Sequence, residues 1–462
     1  MPTVSLVCEG FEHQAAATGR GLGFDALPIA LLRGHVDAQS YDDMVAAFLE
    51  HTVDQVIDGL TAEIRVDADG AAEPAALDVV ARGTIDRIHR TFTERGWSDG
   101  LAIIPPTRER VEAFIAVSGH DPWRLIGTAR PSGRDITVWS VAVNAVMAGC
   151  EPEQLPVLLA IADALVDPHY GVEHSGNTTG ADALVIVNGP VIGELGFNHG
   201  PGAMRDGAGG PNTVVARWLR LFLRNVHGFT ADEHDKATFG NSSRVVMAED
   251  EAALAEIGWQ PVAAEFGHPA GSDAVTIARM NSGIIVGSVV GSTPEQILPY
   301  LADGLARVVG WDLTHVYGLG QGQQRPLLVL SPVLARIFGR AGWTKADVQQ
   351  ALFERARIPA RRFEQLIGEW SNLTAGRRTL VDLVDEGVVP PVFAESADPD
   401  RLVPIVTEPA KFVIAVAGDP NRTNAYVLSS DGPHGDWTSK PIDRAYSTDL
   451  VCSVSRPSDT AR

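Results

Sequence analysis

The sequence predicts an α/β protein built from more than one packed unit, and three observations lead there. The chain has 462 residues, beyond the size at which a single hydrophobic core keeps growing, so two or three units are expected. Short apolar runs such as "ALVIVNG" (183–189), "PLLVLS" (326–331) and "KFVIAVAGD" (411–419) lack polar alternation. That is the pattern of strands in a sheet covered on both faces. Segments with apolar residues near helical spacing alternate with these runs and dominate the middle of the chain.

Residues 1–66 read as a small α/β unit: strand "TVSLVCEGF", helix "EHQAAATGRG", strand "ALPIALLRG", then helix "YDDMVAAFLEHTVDQVIDGL". In the last segment Met44, Phe48, Val53, Val56, Ile57 and Leu60 recur near helical spacing. Two strands make a small sheet for an independent unit, so it is expected to dock on something else. The polar "DADGAAEP" (67–74) reads as a linker. A helix-rich α/β region follows over 75–240, with helices at 75–95, 107–118, 136–148, 152–166 and 211–226 around the strand 183–189. A third, α/β region covers 241–462. It carries strands "SRVVMAE", "AVTIA" and "GIIVGSVV", a helix at 294–308, the strand "PLLVLS", three short helices to 369 and the strand "KFVIAVAGD". The last dozen residues are polar, and a frayed end is expected.

Composition removes several function classes. A net charge of −21 speaks against a sequence-independent nucleic-acid binder and against a polybasic membrane-surface role. Three widely spaced cysteines, Cys8, Cys150 and Cys452, form neither a disulfide framework nor a zinc site. The N-terminus has no positive region ahead of an apolar run, and no uninterrupted stretch of about 18 apolar residues occurs, so a cytoplasmic protein is expected.

Chemistry concentrates in a few stretches. In "NAVMAGCEPEQLP" (144–156) a helix ends at Gly149, Pro152 suits the first position of the next helix, and Glu151 is its expected N-cap. Cys150 then stands just outside a helix N-terminus, where free N–H groups favour a thiolate. Glu151 and Glu153 oppose that, and cysteine is also among the residues most often simply buried. The glycine-rich stretch before Pro211 leads into a helix carrying Asn212, Thr213, Arg217, Arg220 and Arg224. The three arginines share one face and suit a carboxylate or phosphate, with pairing to surface carboxylates as the alternative. After the strand "GIIVGSVV", Ser292 and Thr293 precede Pro294 and Gln296 in a capping-box pattern, at a strand-to-helix turn of the kind that binds ligands in α/β sheets. No Walker lysine follows, and no motif names a cofactor. His169, His174 and His199 flank the central strand and offer an alternative metal site, although no HxH or HExxH spacing supports it.

Four stretches, "GWSDGLAIIPPTRERVEAFI", "TVWSVAVNAVMAGCEPEQLPVLLA", "ALVIVNGPVIGELGFN" and "RAGWTKADVQQALFERARIPA", occur in this order. As an ordered set they resemble the large chains associated with the bacterial UGSC family, named for a selenocysteine-Gly-Ser-Cys motif. The resemblance covers most of residues 95 to 430, with "NAVMAGC" its most specific element. The first 65 residues look like the second half of the small UGSC domain. The motif itself is absent, which implies either a separate small subunit that supplies it or a loss of that chemistry. The family motif is similar to the selenocysteine-x-x-cysteine sites of the glycine reductase selenoprotein B group, which implies thiol or selenol redox chemistry. In the family's glycine-rich stretch this chain keeps Asn212, Thr213 and Arg217 and lacks an arginine ahead of them, implying a shifted substrate preference.

The leading expectation is therefore an enzyme, an oxidoreductase or lyase with a place in secondary metabolism. It would carry out redox or nucleophilic thiol chemistry on a small anionic metabolite. Cys150, Glu151 and Glu153 would be catalytic, and Asn212, Thr213, Arg217, Arg220, Arg224, Ser292 and Thr293 would bind substrate. The alternatives are a metal-assisted lyase or hydrolase using His169, His174 and His199, and a non-catalytic subunit in complex with a small redox partner. An oligomer is expected, with neither nucleic acid nor membrane as partner.

Overall fold

The computed structural model describes residues 3–24, 26–36, 38–61, 74–205, 210–231, 233–240, 245–308, 323–365 and 379–444. The linker expected at 67–74 (Pro74 apart), the last dozen residues and Cys452 lie outside the described residues.

The architecture is mixed α/β, and the N-terminal unit has the predicted order. β1 (Ser5–Cys8) and β2 (Ile29–Leu32) pair in parallel across the helix Glu12–Gly21, since a parallel pair needs a crossover. The next helical segment runs through Tyr41–Ala47, a π-turn at Phe48–Thr52, and Val53–Thr61, with the Ser40 hydroxyl accepting from Asp43 N at its start. The unit meets the body where Lys236 Nζ donates to Gly10 O at 2.7 Å. It also does so at Gly21, where a β-carbon would lie 1.6 Å from Pro131 O. Only glycine fits that approach. Leu6, Leu22 and Phe24 stay exposed along a groove of about 690 Å³ that also includes Cys8 and Phe11.

In the middle region helices occupy Ile85–Glu94, Arg108–Ala116, Val138–Ala148, Leu155–Val166 and Pro211–Phe222. The first begins ten residues later than expected because Thr84 caps it, its hydroxyl accepting from Arg87 N. A hairpin of β3 (Leu125–Thr128) and β4 (Asp135–Thr137) was not legible in the sequence.

The body is organised by one seven-stranded sheet. Its strands are β5 (Asp182–Asn188), β6 (Val245–Ala248), β7 (Ala274–Val286), β8 (Leu327–Leu330) and, beyond a short antiparallel pair of β9 (Arg357–Pro359) with β10 (Leu402–Pro404), β11 (Val413–Val416), β12 (Ala425–Ser430) and β13 (Thr438–Pro441). The order is β11-β8-β12-β7-β5-β6, with β13 also on β7. Met280 pairs with Asp182 of β5 and with Ser430 of β12, so β12 and β13 share the β7 edge opposite β5. That continuous edge explains why "AVTIA" and the start of "GIIVGSVV" form one strand instead of two. Because β5 pairs with both β6 and β7, a boundary at 240 divides this sheet.

Alternation sorts the side chains. Val185, Val187, Val275 and Ile277 face the cluster built with helices Val138–Ala148, Leu155–Val166 and Pro211–Phe222. Leu328, Leu330, Ile414 and Val427 face a second cluster with the helices Pro294–Val308, Pro332–Arg340 and Lys345–Arg355. Leu184, Met247, Met280, Val329, Ala415 and Leu428 point to the opposite, concave face. The strands are buried on both faces as expected, but the long helices stand on one face only, and the concave side is closed by the short helix Val262–Glu265, Phe266, Ala203 and Trp437. β7 is antiparallel to β5, β12 and β13, so those connections need no crossover helices on the second face. A register shift at Ser429/Ser430 adds local twist.

The sheet curls until the ends of its edge strands meet. Asp250 N donates to Val416 O at 2.8 Å. The buried Glu249 carboxylate accepts from Val262 N at 2.6 Å, Asn188 Nδ2 at 2.7 Å and Val416 N at 3.3 Å. Burial pushes the Glu249 carboxyl up, against the pull of Lys345 and these donors. Among the described residues no helix is long and apolar enough to cross a membrane.

Candidate functional site

The local geometry around Cys150 follows the sequence reading, but its thiol does not. Gly149 takes the left-handed conformation at φ 88°, and Cys150 N closes the helix on Ala145 O at 3.0 Å. Pro152 opens a short turn, Glu151 N donates to Gln154 Oε1 at 3.1 Å, and the helix Leu155–Val166 follows. The thiol points inward, with Sγ 3.6 Å from Val214 O. It is buried in the cluster on the convex face of the sheet. Burial first, and then the Glu151 carboxylate, push the thiol far above the ordinary range, with Arg217 opposing. Glu151 and Glu153 are exposed. Cys150 is a packed core residue here, and the catalytic grouping expected of it is not assembled. Brief exposure of the native protein to iodoacetamide should accordingly label the partly exposed Cys8 before Cys150, read by peptide mass spectrometry. Faster labelling at Cys150 would restore the activated thiol.

The expected anion site is dispersed by partners distant in sequence. Arg217 is bound to Asp99 through Nε–Oδ2 and Nη2–Oδ1 contacts of 3.1 Å each, and to Ala102 O at 2.8 Å. Burial works to raise the Asp99 carboxyl, but Arg217 outweighs it and the net shift is downward. Arg224 Nε donates to Gly96 O, so it ties the helix to the same segment. Arg220 is exposed and lines a cleft of about 360 Å³ with Arg224, Asp99, Asp182 and Asp235. Asn212 is 2 % exposed, and its amide donates to Asn198 O, Ala203 O and Val246 O. It knits the glycine-rich loop to β6 and has no donor left for a ligand. Thr213 Oγ1 donates to Arg205 O at 3.0 Å. Ser292 and Thr293 are exposed at the start of the helix Pro294–Val308, which belongs to the other convex cluster, so they do not join Cys150 or the arginines. The expected Gln296 contact is shifted by one residue: its Oε1 accepts from Ser292 N at 2.8 Å.

The histidines do not converge either. His169 is exposed, with Nδ1 3.2 Å from Asp167 Oδ1. His174 stacks on His434 at 4.6 Å. His199 lies at the sheet seam, where its Nδ1 is 3.8 Å from Asp250 Oδ2 and the Asp250 carboxylate raises its basicity. Among the described residues no group of three or more His, Cys, Asp or Glu is placed to hold a metal ion.

Sequence reasoning missed the concave face. A cavity of about 680 Å³ opens there, floored by Leu184, Met247, Met280, Val329 and Leu428 and lipped by Arg205, Arg422, Asn424 and Tyr426. Asp182 and Asp419 also line it, each already accepting a backbone N–H, from Ala183 and Asn421 respectively. Only the inward alternation of strands that pair across two hundred residues creates this floor. The glycine-rich loop was a partial signal, since it carries Arg205. No protein-family model, curated protein or solved structure matches the chain.

Proposed function

We propose that this chain binds a small anionic metabolite with an apolar body, in the cytoplasm, and that the site is the cavity on the concave face of the sheet. The observation that carries the reading is the cavity itself: about 680 Å³, apolar in its floor, with Arg205 and Arg422 at its lip. Small-molecule sites commonly measure roughly 300–1,000 Å³ and combine apolar walls with a few polar groups. Neither guanidinium has an ion pair among the described residues, which leaves both for a ligand. Thiol-dependent chemistry at Cys150 draws support from the family resemblance alone, and the burial of the thiol opposes it. A protein partner for the N-terminal unit is a second reading, favoured by the exposed Leu6, Leu22 and Phe24 along its groove.

The test is a titration with anilinonaphthalene sulfonate, an amphipathic anion, followed by fluorescence. Saturable binding at one site per chain is expected. Arg205→Ala with Arg422→Ala should weaken it by about 1.5–3 kcal/mol for each charge-assisted hydrogen bond to the sulfonate that the substitutions remove. Unchanged affinity in the double variant would sink the assignment.

A further inference from the structure

We propose that Ser331 receives the head group of the ligand in this cavity, and that the ligand class is a monocarboxylate with an apolar tail. The inference rests on the reading of the cavity as a ligand site and assigns its recognition chemistry.

Ser331 follows β8 in an extended conformation (φ −63°, ψ 152°), so the alternation of the strand continues through it. Leu328 and Leu330 face the convex cluster, Leu327 and Val329 face the concave side, and Ser331 falls in register with the latter pair. It lines the cavity. The residue is also the N-cap of the helix Pro332–Arg340, where a serine hydroxyl normally accepts from a first-turn N–H. Here it makes no such bond. Leu334 N and Ala335 N instead reach the Ser331 carbonyl at 3.0 and 3.1 Å. Among the described residues the hydroxyl has no hydrogen-bond partner, and Ser331 is only 5 % exposed. A buried hydroxyl without a partner is destabilising, so its retention at the wall of a cavity points to an occupant that satisfies it.

The surroundings select the chemistry. One O–H donor at the positive end of a helix favours an anion. Pro332 has no N–H to add, and Arg422 at the lip supplies a charge. Ser331 N donates to Asn424 O at 3.2 Å, which holds the start of β12, and with it the Arg422 segment, beside the hydroxyl. One hydroxyl and the two lip guanidiniums, with no cluster of backbone N–H groups beside them among the described residues, match a carboxylate, whereas a phosphate dianion calls for a cradle of several N–H donors. Between this end and Asp182 at the far end the floor is apolar, and Met247 and Met280 give walls that adapt to a tail's shape.

Calorimetric titration with octanoate and with octyl phosphate tests this on the full chain. Octanoate should bind saturably and more tightly than octyl phosphate. Ser331→Ala should weaken octanoate about tenfold, equivalent to about 1.4 kcal/mol. Ser331→Thr, which keeps the hydroxyl, should restore it. The thermal midpoint of the unliganded Ser331→Ala protein should not fall, because no hydrogen bond is removed. Octanoate affinity unchanged by Ser331→Ala, while the arginine double variant weakens it, would overturn the role of Ser331 and leave the cavity reading standing. Tighter binding of octyl phosphate would overturn the ligand class. A fall in the unliganded midpoint would show an ordinary cap and overturn the inference. Failure of both octanoate and anilinonaphthalene sulfonate to bind would remove the cavity reading and this proposal together.

Discussion

Replacing Arg279 by methionine should lower stability by about 3–5 kcal/mol, the cost of leaving one member of a buried ion pair without its partner. Arg279 sits in the middle of β7 and is 4 % exposed. Its Nε donates to Asp431 Oδ2 at 3.1 Å, Nη1 to Tyr170 O at 2.7 Å and to Gly171 O, and Nη2 to His434 O at 2.6 Å. The guanidinium also lies 5.3 Å from the centre of the Tyr170 ring. Asp431 is 2 % exposed and accepts a further bond from Asn177 Nδ2 at 2.9 Å. Three segments are therefore held on one side chain: β7, the loop around 170–177, and the excursion between β12 and β13. Methionine would leave the Asp431 carboxylate in the same burial with one amide donor. The double variant Arg279→Met with Asp431→Leu should recover much of the loss, because removing both charges also removes the desolvation cost. Urea denaturation is the measurement, with a constant slope required before the midpoints are compared. A single-variant loss below about 1 kcal/mol, the range of an exposed pair, would mean that solvent reaches Asp431.

Acid should begin to destabilise the protein as the pH falls below about 6.5, through His227. The ring is completely buried; Nδ1 lies 2.8 Å from Arg130 O, and Nε2, beside Phe222 and Phe229, has no partner among the described residues. Burial pulls its pKa from 6.5 down to about 4, against the hydrogen bond to Arg130 O. The direction of the effect follows from which state binds the proton. Between pH 6.5 and 4 the unfolded chain protonates this group and the folded chain does not, so stability falls as pH falls through that window. The full loss is about 3 kcal/mol, reached near the folded-state pKa. His174 and His434, both held down by burial, add in the same direction. The difference between the protein and its His227→Asn variant isolates the one residue. Asparagine keeps a donor for Arg130 O and removes the proton site, so its stability should change less between pH 6.5 and 4.5. Parallel pH curves for the two proteins would place the proton uptake elsewhere.

Much of the secondary structure was determined by the sequence alone, for a reason of range. Gly149 in its left-handed cap, Pro152 opening the next turn, the helices Glu12–Gly21 and Pro294–Val308 and the core of β5 all stand where residue types predict them. Each depends on forces that act within a turn or along one run of apolar side chains: cap hydrogen bonds, fixed proline φ, and alternation. What each side chain does was settled only by tertiary structure. Cys150 has the predicted backbone setting, yet the helix Pro211–Phe222 packs over its thiol. Arg217 has the predicted face, but Asp99, 118 positions earlier, occupies its guanidinium. β7 is one strand because β12 and β13, more than a hundred residues later, supply its second edge. Ser331 reads locally as an ordinary cap before a proline, and only the curl of the sheet places its hydroxyl at a cavity wall. Burial and partner choice are set by segments that loop closure brings together from far apart in the chain, and no local pattern of residues carries that information.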